Sequence, residues 1–135
     1  MARHLVEALA VRVYYEDTDF SGRVYHASYL RFLERGRTEW LRRLGLSHQE
    51  IAQNSGVIFA VRRLEIEYLA PALMDDLLSV ETRTSKVHGA SIEFRQRISR
   101  GEKHLLAAAV LVAAIRDGRP ARLPTTLLRQ FTGPA

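Results

Sequence analysis

The stretch Tyr15-Glu16-Asp17-Thr18-Asp19-Phe20-Ser21-Gly22-Arg23-Val24-Tyr25-His26 decides the fold, because the hydrophobic period changes across it. Before it, Leu9 to Tyr15 is rich in β-branched and aromatic residues with Val11 and Val13 on one face, which predicts a strand. After it, from about His26 to Leu44, Tyr29, Leu30, Phe32, Leu33, Gly36, Trp40, Leu41 and Leu44 recur mostly at spacings of three and four. Arg31, Glu34, Arg35, Arg37, Arg42 and Arg43 fill between them, which predicts a long amphipathic helix. Glu16 to Gly22, with its acids, Ser and Gly, is a loop. A carboxylate there lies beside the free backbone N–H groups of a helix start. Asp19 therefore has two readings: a catalytic group, or a turn residue or N-cap, the commoner role for an Asp before a helix.

Outward from the helix, Gly45 serves as its C′ residue, and Ser47 caps a short second helix with Glu50 in the capping-box position. Asn54-Ser55-Gly56 closes that segment. Four strands follow: Val57 to Leu69, Leu77 to Val87, Ala90 to Ser99 and His104 to Arg116. Leu78, Val80 and Thr82 share a face in the second of these, and Ile92, Phe94, Gln96 and Ile98 in the third. Gly89, Arg100-Gly101-Glu102 and Asp117-Gly118 mark turns, and Thr125 to Phe131 a last short helix. The order predicts an α+β domain over residues 1–135, a five-stranded antiparallel sheet on one main helix. Such a sheet leaves a face or an edge to cover, and oligomerisation is the expected remedy.

Composition narrows the classes. The chain has 135 residues and no cysteine, which excludes disulfides, thiolate nucleophiles and Cys-zinc sites. No apolar run reaches the roughly 18–20 residues that cross a bilayer. Met1 to Glu7 shows no export signal, so the expected compartment is the cytoplasm. The net charge of +5 admits nucleic acid as a partner, but the Lys and Arg form no block and no recognition motif accompanies them. A basic enzyme for a polyphosphate-bearing substrate has the same balance. His4, His48 and His104 show no metal spacing, and no metal is expected.

Tyr15-Glu16-Asp17-Thr18-Asp19, then Gly22, Val24, Tyr25-His26 and Tyr29, resembles the signature of the 4-hydroxybenzoyl-CoA thioesterase family. The likeness is greater to its bacterial branch of Tol-Pal-associated acyl-CoA thioesterases, the YbgC type. Glu34-Arg35 with Arg37-Thr38-Glu39, and Glu67-Tyr68 with Ala70-Pro71-Ala72 and Asp75-Asp76, continue it. The resemblance implies the hotdog fold, a curved antiparallel sheet wrapped around a long helix, in agreement with the element order above. It also implies hydrolysis of acyl-CoA, no cofactor beyond the CoA of the substrate, and dimers or dimers of dimers with sites at the subunit interface. An acyl carrier protein is a further partner of this class.

By the same resemblance the catalytic carboxylate falls on Asp19, and the carbonyl-polarising backbone N–H near His26, at the helix start. The imidazole of His26 either makes local hydrogen bonds or touches the thioester or its water. Tyr25 is placed with the substrate-binding residues as a packing side chain. The strand carrying Phe59, Ala60 and Val61, with Arg62 and Arg63 adjoining, lines the acyl and pantetheine channel. Lys86, His88, Gly89 and Ser91 surround a turn that resembles the CoA-phosphate region. Against these last assignments, exposed Lys and Arg on strands are usually solvated or protect edges. Asp17 is expected to satisfy loop amides, and Glu34 to pair with an Arg. The family usually reads Asp-Ala-Gly-Gly here; Phe20 and Ser21 depart from it while Gly22 is kept. Asp19 serves as nucleophile or general base, both open to a carboxylate. The alternative is a hotdog domain that binds acyl carrier protein or a cell-envelope complex with little activity.

Overall fold

The computed structural model describes residues 6–132; residues 1–5, with His4 and most of the segment read for an export signal, lie outside them. The described elements are β1 (Glu7–Arg12), α1 (Ser28–Arg43), α2 (His48–Ser55), β2 (Ile58–Tyr68), β3 (Leu77–Val87), β4 (Ser91–Arg100), β5 (Lys103–Arg116), β6 (Arg119–Pro120) and α3 (Thr125–Thr132). The strands form one antiparallel sheet in the order β1-β3-β4-β5-β2, and β6 folds back on the end of β5. α1 lies across the inner face over β1, β3 and β4, giving the hotdog architecture.

Alternation places Leu78 and Val80 of β3, Ile92, Phe94 and Ile98 of β4, and Leu106, Val110 and Val112 of β5 in the core against Phe32, Leu33 and Trp40 of α1. Gly36 is where helix and sheet come closest. A Cβ there would lie 2.7 Å from Thr82 Oγ1 and 2.9 Å from Val80 Cγ1. Gln96, buried on the inner face, donates through Nε2 to the Leu33 carbonyl and to Thr82 Oγ1, both at 2.9 Å. Its Oε1 accepts from Arg37 Nη1 at 3.0 Å, so this polar network is satisfied beneath the helix.

Two boundaries next to the loop differ from the sequence reading. The first strand ends at Arg12, not Tyr15, because Val13 N–H donates to the Asp76 carbonyl and Tyr14 N–H to Asp17 Oδ2, drawing the chain out of the ladder. A 3-10 turn follows at Tyr15–Asp17. α1 begins at Ser28 rather than His26, since Tyr25 N–H is used by the Asp17 carbonyl. The Ser47 cap stands as expected, its hydroxyl accepting from Glu50 N–H at 3.1 Å.

Candidate active site

The loop before α1 is built by local turns and then pinned from outside. Thr18 and Val24 form an antiparallel bridge; Asp19 N–H donates to the Arg23 carbonyl at 2.9 Å and Gly22 N–H to the Asp19 carbonyl at 3.1 Å. Gly22 sits at φ 82°, a left-handed conformation that glycine adopts without a Cβ clash. Val24 N–H donates to the Ala72 carbonyl and Met74 N–H to the Gly22 carbonyl, tying the loop to the segment after β2. Asp76 steadies that segment, its Oδ2 accepting from Leu73 N–H at 2.8 Å and from Arg100 Nη1 at 2.6 Å. Burial alone would raise the Asp76 pKa, but the Leu73 amide and Arg100 together lower it.

The two loop aspartates have different surroundings. Asp17 is 4% exposed and accepts from Tyr14 N–H at 2.9 Å and from Arg31 Nη2 at 3.2 Å. It caps the loop amides as expected. Asp19 is partly exposed, and its Oδ1 accepts from the hydroxyl and the N–H of Ser21. The Ser21 hydroxyl first, then its amide, lowers the Asp19 pKa below the ordinary carboxylate value. Its Oδ2 makes no hydrogen bond among the described residues.

At the helix start, Ser28 N–H donates to the Tyr25 carbonyl and Leu30 N–H to the Ala27 carbonyl. The N–H groups of His26 and Ala27 have no partner among the described residues. They lie at the positive end of α1, where backbone donors favour developing negative charge. The His26 carbonyl accepts from the Tyr68 hydroxyl at 3.0 Å, so the end of β2 fixes this turn. The exposed rings of Tyr25 and His26 meet at 4.5 Å. Asp19, Tyr25 and His26 thus belong to one short segment.

The expected substrate residues form a second group. Phe59 is half-buried and meets the His48 ring edge-on at 5.7 Å, while Ala60, Val61, Arg62 and Arg63 are exposed. Pairing shifts between Val61 and Arg63, leaving Arg62 at a bulge. Lys86 and His88 are exposed on the β3–β4 turn, which closes by His88 N–H to the Ser91 carbonyl at 2.9 Å. Ser91 pairs with Ala113, and Ala113 with Ala60, so this turn and Phe59 to Arg63 share one end of the sheet. Tyr68, which touches His26, is at the other end of β2, about 23 Å from Val61 at strand rise. One chain assembles each group but does not join them.

Sequence reasoning overlooked Arg116, Arg119 and Arg122, exposed cations at the Lys86–Ser91 end. Arg122 Nη1 lies 3.4 Å from where a Gly89 Cβ would stand. Arg116 ends β5, and the fold-back of β6 brings Arg119 and Arg122 beside it; no local signal in the Pro-flanked segment announces this. Nor did the spacing show a cavity of about 380 Å³ between α1 and the start of β2, reached by Glu34, Arg37, Trp40, His48, Phe59 and Val61. Glu34 lines this cavity and makes no ion pair among the described residues, against expectation. Burial lowers the pKa of both Arg37 and His48 there. Among the described residues no cluster of three His, Asp or Glu could hold a metal, and no helix is long and apolar enough to cross a membrane.

Residues 13–131 match the family described as the thioesterase-like superfamily. The chain is 46% identical over 123 residues, 90% of each protein, to the acyl-CoA thioesterase YbgC of Haemophilus influenzae. The crystal structure of a probable thioesterase from Bartonella henselae superposes with a TM-score of 0.86 at 44% identity, covering 89% of this chain and 100% of that one. The 4-hydroxybenzoyl-CoA thioesterase of a Pseudomonas species shares the fold, with a TM-score of 0.86 at 19% identity over 92% of this chain and 97% of that one.

Proposed function

From the thioesterase-like superfamily, to which this chain belongs, we propose that it hydrolyses acyl-CoA thioesters to free acid and CoA, residues 1–135 acting as one hotdog domain. The observation that carries the chemistry is a carboxylate held in its ionised form at Asp19, followed by two unpartnered N–H groups at the start of α1. The thioester carbonyl oxygen is received by the His26 and Ala27 amides, whose donation strengthens as the oxygen becomes an oxyanion. Asp19 supplies the attack by one of two routes. Its oxygen bonds to the carbonyl carbon, CoA leaves as thiolate, and water hydrolyses the mixed anhydride. Alternatively Asp19 takes a proton from water, the hydroxide adds, and the expelled thiolate recovers the proton. Both end at the same products.

Two copies complete the site. β2 is the last full strand of the sheet, and its inner row of Phe59, Val61, Leu64, Ile66 and Tyr68 is left largely uncovered, with Val61 51% and Tyr68 49% exposed. A long apolar edge strand is poorly suited to water and well suited to pairing with its equal. Antiparallel pairing of β2 with β2 about its centre near Arg63 sets the partner's Phe59 to Val61 beside Tyr68, and so beside His26. The acyl channel of one chain then serves Asp19 of the other, while the cations at the Lys86–Ser91 end stand near for the CoA phosphates. The assembly is a dimer or a dimer of dimers. Acyl carrier protein, which presents the same pantetheine arm, is a second donor, and CoA thioesters place the reaction in the cytoplasm.

Thiol release from a panel of acyl-CoA substrates tests this. Asp19→Asn is expected to lower kcat about a thousandfold, within the usual range for a general base, without a change in melting temperature. If the wild type hydrolyses no member, a binding partner of acyl carrier protein or an envelope complex replaces the enzyme.

A further inference from the structure

We propose that Tyr68 is a positioning residue: its hydroxyl holds the His26 carbonyl so that the Ala27 N–H stays aimed at the thioester oxygen. The inference rests on the thioesterase reading and adds a residue to its machinery.

The free N–H groups of His26 and Ala27 belong to two successive peptide planes. A peptide unit is planar, and in its trans form the carbonyl and the N–H point in opposite directions. Whatever grips the carbonyl therefore also sets the direction of the N–H. Among the described residues no peptide bond is cis. The His26 N–H shares its plane with the Tyr25 carbonyl, which accepts from Ser28 N–H at 2.8 Å. That donor is set by the helix start itself. The Ala27 N–H shares its plane with the His26 carbonyl, and no backbone N–H among the described residues reaches that oxygen. Its partner is the Tyr68 hydroxyl at 3.0 Å. One of the two oxyanion donors is thus aimed from outside the loop, by the last residue of β2.

The surroundings of Tyr68 keep that aim steady. Its backbone pairs with Leu106 in the β5 ladder, and its ring meets Tyr29 edge-on at 5.6 Å. Tyr29 is 4% exposed, stands in the first turn of α1, and accepts through its hydroxyl from Ala72 N–H at 3.0 Å. The ring that carries the Tyr68 hydroxyl is therefore packed against the helix whose start it serves.

The loop does not need this bond to keep its place. Val24 N–H on the Ala72 carbonyl, Met74 N–H on the Gly22 carbonyl and Tyr25 N–H on the Asp17 carbonyl already fix it. What Tyr68 adds is the rotation of one peptide. Because Tyr68 is half exposed, water can replace its hydroxyl and satisfy the carbonyl at little cost in stability, without fixing its direction. The loss falls instead on the transition state, where a donor that must reorient gives up part of its gain as the oxygen becomes an oxyanion.

Tyr68→Phe removes the hydroxyl and keeps the ring. On the best substrate of the panel kcat is expected to fall about tenfold to a hundredfold, less than for a donor removed outright. KM should change less than about twofold, the mark of an interaction made in the transition state. The direct readout is the infrared carbonyl band of an acyl-CoA bound to Asp19→Asn, which should lie below that of the free thioester. Adding Tyr68→Phe to that variant should undo much of the downshift while the thioester still binds. An unchanged kcat, a rise in KM alone, or a band that does not move on adding Tyr68→Phe would overturn the inference and leave the bond a structural tie. Failure of the thioesterase reading looks different and takes the inference with it: wild type would then turn over no acyl-CoA, and Asp19→Asn would show no bound thioester.

Discussion

In the loop from Asp17 to His26 most polar groups are answered within their own chain, Asp17 by Tyr14 and Arg31, Asp19 by Ser21 and Arg23, and Val24 by Ala72, while the His26 N–H is left open. Along β2 the reverse holds. Its 11 residues pair with β5 on one side only, and all but Phe59 and Ile66 are exposed. The loop is finished at the level of the monomer, where preorganised donors and a carboxylate need rigid backbone. In the pairing proposed above, a second copy finishes the strand, so that one chain would carry the reactive half of one site and the binding half of another.

The largest test of this division is Asp19→Asn, described above, which should destroy turnover and leave assembly intact. Leu64→Lys is the converse. Leu64 is 37% exposed in the single chain, so the substitution should spare the fold. In the pair it would bury an ammonium, and dimer affinity measured by analytical ultracentrifugation should weaken about a hundredfold, or about 3 kcal/mol, with activity falling alongside. A variant that stays dimeric and active would remove β2 from the interface.

A smaller effect should come from the frame that holds the loop. The Asp76 pKa is lowered in the folded protein from an ordinary 3.8. Its contribution is therefore fully present above that value and is lost as pH falls through the lower folded value. Asp76→Asn should cost about 1 kcal/mol at pH 7, discounted for the partial solvation of Arg100. The gap between thermal melts of wild type and variant should start to close near pH 3.8 and vanish only below the lowered folded value; a gap that persists at the acid end would mean the carboxylate charge is not what holds the segment.

The smallest effect belongs to Ser21→Ala. Removing the hydroxyl takes away the main cause of the lowered Asp19 pKa. The acid limb of the pH–rate profile should move upward in pH, while the rate at pH 7 changes less than about threefold. An unmoved limb would show that another group titrates.

How much of this was readable from sequence follows the same division. The loop is contiguous, and the change of period, the Asp pair, Gly22 and the helix onset all lie within a dozen residues. The Ser47 cap was equally local. Strand alternation gave the sheet, and Gln96 and Thr82 on apolar faces correctly marked inward positions. What sequence could not give was long-range: the pairing that leaves β2 at the edge, the fold-back that gathers Arg116, Arg119 and Arg122, and the cavity at Trp40. These depend on strand order, which no local pattern encodes. Even the early end of the first strand has a distant cause, the Asp76 carbonyl taking Val13 N–H.

The shared site is tested most directly by complementation. Asp19→Asn and the channel-blocking Val61→Arg are purified singly, and as mixed dimers from co-expression. If Asp19 of one chain works with Val61 of the other, each mixed dimer has one site with both lesions and one with neither. Thiol release should then recover to about half the wild-type rate per dimer, although both parents are nearly inactive. Mixed dimers no more active than their parents would place both residues in the site of a single chain and contradict the account.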